Sequence, residues 1–343
     1  MPTLKFLPRF FLPVAIMLAL CFVTGCLGEH SMPKHCERSA IVLGTAARLS
    51  AEGDEAEAAV AECLEALSAL SSEFDAESPK SSVAKLNAAA GTGEWIPLSP
   101  RVWHVLVLSR VCSEATDGAW DATIGPLSAL WRKALAVGIP PSAAEVAEAL
   151  EHIGWKKLEL RNEDKSARLT DPCMTLDLGG VLKGCALDEC RKIYAKHHAT
   201  GLINLGESSI AAVGGKKDGK PFRIALRHPR EAAPARLGVL GLKNAVLSTS
   251  GDYEHFFISD GARYHHILDT RTGFPAKNGV SSVSVRIGAE EPDAGLISDM
   301  LSTAFFVMGT EKSLALLPSL PVHAEAVFAD ETDVVAEENF LRE

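Results

Sequence analysis

An aspartate and a threonine stand at helical spacing near the end of the chain. Asp299 and Thr303 lie four residues apart in a mostly apolar segment, so both oxygens would project from one helix face. Hard oxygen ligands at that spacing suit Mg²⁺, which takes its other ligands from water and substrate phosphates. An exposed aspartate beside a threonine bonded back to its own helix is the simpler alternative. Since the helix is otherwise apolar, a buried acid would need a counter-charge, which favours the metal.

A second candidate is the stretch from Thr175 to Gly184, Thr-Leu-Asp-Leu-Gly-Gly-Val-Leu-Lys-Gly. A short apolar run containing Asp177 breaks at two glycines and resumes with a helical pattern. We predict a strand that turns into a helix, where bare backbone and a helix N-terminus admit an anionic ligand or a metal. Lys183 suits a phosphate there. Paired glycines taken alone also fit an ordinary left-handed turn.

Two further segments carry side chains that could do chemistry. His265 and His266 precede Asp269 in a predicted strand and turn, and because strand neighbours point to opposite faces, at most one histidine faces a given site as a general base. A structural histidine is the alternative. Trp120 and Asp121 lie in a polar loop, where they could stack on an aromatic ring and bind its polar edge. A loop tryptophan more often fills a core.

The elements that must position these residues form an α+β pattern. Helical periodicity and caps predict helices at 54–70, from Ser99-Pro100 to Gly118, through 127–131, from Ser142 towards Gly154, and at 293–308. A hairpin is predicted over 155–169, and strands at 40–49, 202–205, 209–213, 222–226, 237–242, 245–249, 280–287 and 322–328. No repeat or linker divides them, which predicts one interlocked domain over 38–343.

Residues 1–25 are predicted to be a bacterial lipoprotein signal. Lys5 and Arg9 precede a short apolar run, and Val23-Thr-Gly-Cys26 has the pattern of a cleavage site ending at an acylated cysteine. An uncleaved anchor is the alternative, but about 13 apolar residues fall short of the ~20 that span a bilayer. We therefore expect a lipid on Cys26 and a tether over 26–37, at the periplasmic face of a bacterial membrane.

The composition of the chain limits the kinds of partner that we expect it to bind. The 343 residues are 47% apolar and carry a net charge of −10, which is typical of a globular protein. Loss of the signal would remove two positive charges, leaving about −12, so a nucleic-acid partner is not expected. The six cysteines beyond Cys26 show no CxxC pattern, and export leaves both disulfides and buried thiols open.

Together, six segments resemble the ApbE family, the periplasmic FAD:protein FMN transferases, and they follow the family's order. They are 117–126 (DGAWDATIGP), 177–184 (DLGGVLKG), 202–206 (LINLG), 249–253 (TSGDY), 265–269 (HHILD) with Thr272-Gly273, and 298–303 (SDMLST). The chain departs from the family pattern where Leu43 replaces a methionine, Glu207-Ser208 replace Gly-Asp, and Thr270 replaces a proline. The loop at Phe74 also differs in length.

The resemblance implies a T-fold-like α+β protein that binds FAD in a cleft. The residues that it places along the flavin nucleotide are Leu43, Ala119, Trp120, Asp121, Asp177, Lys183 and His266. It implies a Mg²⁺ site formed by the Gly180 carbonyl with Asp299, Ser302 and Thr303. His266, Lys183 and Asp299 would be catalytic.

The reaction implied is transfer of FMN from FAD to a threonine or serine hydroxyl of a client redox subunit, with release of AMP. Two alternatives remain open at the level of sequence. With water as the nucleophile, the same site would be an FAD pyrophosphatase that yields FMN and AMP. Without catalysis, the chain would be a periplasmic lipoprotein that only binds FAD.

Overall fold

A computed structural model describes residues 34–232, 234–330, 334–336 and 340–341. The predicted signal and Cys26 therefore lie outside the described residues. Within this part, no helix combines the length and apolar composition that crossing a membrane would need.

The scaffold is an eight-stranded antiparallel sheet in the order β1-β2-β6-β7-β10-β13-β14-β15. Its strands are β1 (His35–Val42), β2 (Thr45–Glu52), β6 (Thr200–Leu205), β7 (Ser209–Val213), β10 (Ala245–Gly251), β13 (Ser282–Gly288), β14 (Ala324–Ala329) and β15 (Val334–Ala336). In β2, for example, every second side chain is apolar and faces the helices, and Ala47, Leu49 and Ala51 are buried.

The helices are α1 (Ala56–Glu73), α2 (Ser82–Ala88), α3 (Pro100–Ala115), α4 (Gly125–Val137), α5 (Ala143–Glu151), α6 (Gly179–Lys196), α7 (Ala294–Met308) and α8 (Thr310–Leu316). Of these, α1, α6 and α7 cover one face of the main sheet, whereas α4 and α5 pack against each other. The helices α6 and α7 pack against each other and against β7, β10 and β13. The largest hydrophobic core fills the space between this layer and the sheet, with Phe305 and Phe306 of α7 fully buried in it.

Smaller sheets complete the fold. Strands β16 (Phe340–Leu341), β9 (Arg236–Leu242) and β8 (Phe222–Arg227) pack on the opposite face of the main sheet, over a second core. Strands β3 (Ile96–Pro97), β5 (Ser166–Leu169) and β4 (Leu158–Arg161) form one sheet, and β11 (Phe256–Ser259) and β12 (Ala262–His265) form a hairpin. A third core joins α4 and α5 through Trp131 and Val146, and Phe257 and Tyr264 of this hairpin pack against it.

The α+β class is confirmed, as are most of the predicted elements. The side chain of Ser99 caps α3 with Pro100 in the first turn, and Ser142 and Glu145 form the predicted capping box. The β4–β5 hairpin lies within the predicted 155–169 segment. Gly309 ends α7, with a φ of 81°.

Four predictions about elements were wrong. The segment 40–49 is a hairpin, because Leu43 and Gly44, with φ of 52° and 71°, make a two-residue turn between β1 and β2. Residues 175–178 form no strand beyond one bridge at Thr175, since Leu176 and Asp177 donate their amides to Asn87 and Ala122. Strand β1 begins at His35, inside the predicted tether. Strand 322–328 is not the last, because β15 and β16 follow.

Candidate functional site

Glycines bring the two central helices into direct contact. A Cβ atom added at Gly184 of α6 would lie 2.2 Å from the carbonyl oxygen of Gly295 in α7, so no larger residue fits. Asp188 of α6 accepts hydrogen bonds from the amides of Gly295 (2.8 Å) and Leu296 (2.9 Å) at the start of α7. Burial raises the pKa of Asp188 to about 6. These contacts fix where the next turn of α7 lies relative to α6.

That next turn carries Asp299, which is only 5% exposed. Its Oδ2 accepts the amide of Gly184 at 2.5 Å, and its Oδ1 accepts the hydroxyl of Ser209 at 3.0 Å. Burial raises the pKa of Asp299, and the ammonium of Lys183 acts in the opposite direction. The carboxylate is thus buried where a cation would stabilise its charge, and the predicted alternative of an exposed aspartate does not apply.

Hydroxyl groups cluster beside this carboxylate. Ser302 and Thr303 donate to the carbonyl of Asp299 at 3.0 and 3.3 Å, so the back-bonded threonine of the simpler alternative is present. Both hydroxyls also lie within hydrogen-bond distance of Ser250 Oγ, at 2.9 and 3.2 Å. Strand β10 therefore holds the polar face of α7 in place.

The oxygens at this contact between α6 and α7, which we call the helix junction, suit a hard divalent cation. The amide of Gly184, which would serve the Gly180 carbonyl in a regular helix, donates to Asp299, and the Gly180 carbonyl lies one helical turn earlier on α6. A carboxylate, a carbonyl and hydroxyls form an all-oxygen donor set that fits Mg²⁺. Elsewhere in the described residues, His152, Asp171 and Cys173 approach one another, but the ammonium of Lys157 already pairs with Asp171 at 3.2 Å.

Lys183 stands one turn beyond the glycine pair on α6 and is half-buried. Its ammonium donates to the hydroxyl of Ser208, in the turn between β6 and β7. The same charge lowers the pKa of both Asp299 and His266, so it lies near both groups. A neutral partner leaves the positive charge of Lys183 available to a phosphate.

An aromatic cavity of about 420 Å³ opens beside the start of α6, within the usual size range of ligand sites. Tyr264 forms one wall, stacked between Trp131 (5.8 Å between centroids) and Phe257 (5.2 Å). The other lining residues are Ser128, Arg132, Leu135, Asp177, Gly179, Gly180, His255, His265, His266 and Leu268. Flat apolar walls suit a planar ring system, and the exposed glycines at the helix start suit an anionic group.

Both neighbouring histidines line the cavity, contrary to the expectation that at most one faces it, but their surroundings differ. His265 is buried, with Nε2 against the carbonyl of Ala276 and Nδ1 accepting the amide of Ile267. The ring of His266 is exposed because the cavity is open, yet protein atoms surround it on most sides. This crowding, together with the nearby imidazole of His255, lowers the pKa of His266 and keeps its ring neutral at pH 7. A neutral imidazole can accept a proton.

Asp177 and Gly180 line the cavity, and Asp177 caps the amide of Gly179 at 2.9 Å. The cavity lining does not include five residues that the resemblance placed along the nucleotide, Leu43, Ala119, Trp120, Asp121 and Lys183. Trp120 is buried with its indole donating to Ser109, and its ring edge lies 3.2 Å from where a Cβ of Gly180 would be. It fills the core behind the glycine bend rather than stacking on a ring in the cavity.

Asp121 also serves the protein itself. Its Oδ1 accepts the amide (2.8 Å) and hydroxyl of Thr123, and its Oδ2 accepts the amide of Trp155 at 2.8 Å. Leu43 lies at the β1–β2 turn, packed against the main core. These residues shape the surroundings of the site without reaching the cavity.

Sequence reasoning missed the aromatic wall and the partners of the junction. The missed residues are Trp131, Arg132, Phe257, Tyr264, Ser208, Ser209 and Ser250. One signal was present for the wall: Asp260-Gly261 is a typical two-residue hairpin turn between the aromatic-containing strands β11 and β12. The hydroxyl partners carry no comparable signal.

Comparison with known proteins gives consistent matches. The model of the ApbE family matches residues 43–328. An FAD:protein FMN transferase of Treponema pallidum (strain Nichols) is 30% identical over 334 residues, covering 92% of this chain and 90% of that protein. One of Klebsiella pneumoniae (strain 342) is 33% identical over 239 residues, covering 69% and 72%.

Solved structures match as well. The crystal structure of the ApbE protein from Thermotoga maritima has a TM-score of 0.79 at 30% identity, covering 90% of this chain and 100% of that one. The flavin transferase ApbE from Vibrio cholerae has a TM-score of 0.76 at 22% identity, covering 90% and 98%, which shows a shared fold.

Proposed function

This chain belongs to the ApbE family, and we propose from that premise that it transfers FMN from FAD to a hydroxyl of a client protein. One observation of the structure carries the proposal. Gly180 lines the aromatic cavity, which suits a flavin or adenine ring, and it lies one helical turn before Gly184, whose amide binds Asp299 at the helix junction near Lys183. A dinucleotide with its ring in the cavity would thus bring its diphosphate to the junction.

The reaction proposed is an attack of a threonine or serine hydroxyl on the phosphorus of the FMN half. The new bond joins the client oxygen to that phosphorus, and the bond to the bridging oxygen breaks, so AMP leaves with the bridging oxygen. Neutral His266 accepts the hydroxyl proton. Lys183 balances the negative charge that builds up on the phosphate oxygens.

We also propose that Mg²⁺ is required. It would be held by Asp299, Ser302, Thr303 and the Gly180 carbonyl. When bound, it would neutralise negative charge on the diphosphate. Asp299 contributes the one carboxylate of this set. The all-oxygen donors and the burial of the Asp299 carboxylate support this assignment.

The test uses the full chain with FAD, Mg²⁺ and a purified exported redox subunit. Mass spectrometry of the subunit is expected to show one added FMN on a threonine or serine, with AMP in solution in equal amount. Release of FMN and AMP without modification of the subunit would replace the proposal by a pyrophosphatase. FAD that stays bound and intact would indicate a binding protein.

For location, we propose that acylated Cys26 anchors the mature chain at the periplasmic face of a membrane. The support is the pattern of residues 1–26 alone. Labelling of growing cells with a radioactive fatty acid is expected to mark the protein, and a Cys26→Ser variant is expected to lose the label.

A further inference from the structure

If FAD fills the aromatic cavity, the client hydroxyl needs another approach to the phosphate. A second cleft, of about 80 Å³, shares Ser208 with the lysine of the junction. Residues 224–227 of β8 form one side of this cleft, and its floor includes the small residues Gly251, Ser282 and Ser284 of the main sheet. The ring of Tyr253, which also lines the cleft, lies against Gly251.

The side formed by β8 is an open sheet edge. In the described part of the chain, β8 pairs with β9 and lies at the end of its sheet. Ile224 and Leu226 are buried in the second core and hold the strand in place, while Ala225 is exposed. In such a strand, alternate residues direct their backbone amides and carbonyls away from the paired neighbour. This edge can accept an extended segment of another chain.

The Ser208 end of the cleft lies beside Lys183, the proposed phosphate-binding residue. Ser208 holds the ammonium of Lys183, and its own carbonyl accepts the amide of Thr249 at 2.7 Å, which fixes it to β10. A hydroxyl at this end of an added strand would arrive beside the charge proposed to hold the phosphate. The rim carries Glu207 and Glu254, the latter paired with Arg227 at 3.1 Å. The excess acid disfavours acidic residues in the bound segment.

We infer that the client binds as an extended segment added to the free edge of β8, with its acceptor threonine or serine at the Ser208 end of the cleft. This inference rests on the proposed FMN transfer and adds the surface that receives the client and the backbone conformation of the acceptor segment.

The test replaces Ala225, which lines the cleft on the exposed side of β8, by Arg, which places a bulky charged side chain at the mouth of the cleft. The probes are short synthetic peptides, each with one central threonine and either basic or acidic flanks, and transfer is followed by mass spectrometry. The KM for the peptide with basic flanks is expected to rise at least about tenfold through loss of main-chain hydrogen bonds, with FAD affinity unchanged. Ala61→Arg, on the exposed face of α1, is the matched control and is expected to alter neither value.

A second variant, Glu207→Lys, alters the rim without filling the cleft. It is expected to shift preference towards peptides with acidic flanks, while Glu65→Lys on α1 does not. The assignment of the cleft would be overturned if Ala225→Arg left the KM for the peptide unchanged and Glu207→Lys left the preference between basic and acidic flanks unchanged, with FAD affinity kept in both variants. No transfer by the unmodified protein to any peptide or redox subunit would overturn the proposed function itself.

Discussion

The helix junction and the aromatic cavity lie one turn apart on α6, at Gly184 and Gly180, but are built in opposite ways. At the junction, glycines leave no room for a Cβ, and Asp299 has both oxygens hydrogen-bonded to the protein. The cavity is walled partly by the β11–β12 hairpin, which rests on the third and smaller core. Phe257 and Tyr264 are half-buried there.

This difference separates two tasks. Groups that act on a phosphate must be held within a fraction of an ångström, which close helix packing provides. A ring needs a flat apolar wall, and stacking tolerates small shifts of that wall. We therefore expect variants at the junction to slow transfer with little change in FAD affinity. Variants of the aromatic wall should weaken FAD binding first.

The largest effect is expected for Asp299→Asn. The amide keeps the volume and one acceptor oxygen but removes the charge, so transfer should slow by about a thousandfold. Single-turnover transfer measured by mass spectrometry, and Mg²⁺ binding measured by calorimetry, check this. Asp164→Asn is the control, because Asp164 lies in the β4–β5 turn, where it pairs with Arg161 outside the junction and the cavity. It should leave the transfer rate intact. An unchanged rate in Asp299→Asn would remove the junction from the mechanism.

Lys183→Met is expected to slow transfer by about a hundredfold, since it removes an ammonium held near both Asp299 and His266. Methionine keeps the length of the side chain. Lys192→Met, on the exposed side of the same helix, should have no effect. If both variants transferred FMN equally well, the charge of Lys183 would have no part in the reaction.

The junction could largely be predicted from sequence, because its signals are local. Asp299 and Thr303 follow from helical spacing, and Gly179, Gly180 and Lys183 follow from one short stretch. The contact between Gly184 and Gly295 could not be predicted, since it joins segments more than a hundred residues apart. Nor could the burial of Asp299 against Ser209, which depends on the same contact.

The cavity was less predictable for a related reason. Its wall combines Trp131 with Phe257 and Tyr264, which come from separate segments. Only the Asp260-Gly261 turn indicated part of this wall in the sequence. Asp121 shows the reverse case. Whether an aspartate in a polar loop faces a ligand or the protein backbone depends on how the loop folds. Here the amide of Trp155 donates a hydrogen bond to one carboxylate oxygen of Asp121.

His266 lines the cavity and also lies near Lys183 of the junction. His266→Gln should slow transfer by about a hundredfold, because the proposed base is lost. Burial and then His255 lower the pKa of His266 from its usual 6.5. The neutral form therefore persists below pH 6.5, and transfer should fall only as the pH drops through the lowered pKa. Stability should also decline below pH 6.5, because the unfolded chain binds this proton more readily.

His255→Gln sharpens that test. Removing the neighbouring imidazole should raise the pKa of His266 and move the acidic limb of the rate profile to higher pH. Protonation of Asp299 could produce an acidic limb of its own, but His255 is not among the groups that shift its pKa. A limb at the same pH with and without His255 would therefore assign it to a group other than His266.

The smallest effect on transfer is expected for the wall. Tyr264→Ala removes the ring between Trp131 and Phe257, so the dissociation constant for FAD should rise by about tenfold, the size of one lost aromatic contact. Tyr264→Phe keeps the stack and should bind FAD normally. Transfer at saturating FAD should stay within about twofold of the unmodified rate in both variants, since neither touches the junction. Fluorescence titration gives the affinity and single-turnover mass spectrometry gives the rate. A slower rate at saturation in Tyr264→Ala would mean that the wall also positions the diphosphate, and the division between ring binding and phosphate chemistry would then fail at the cavity.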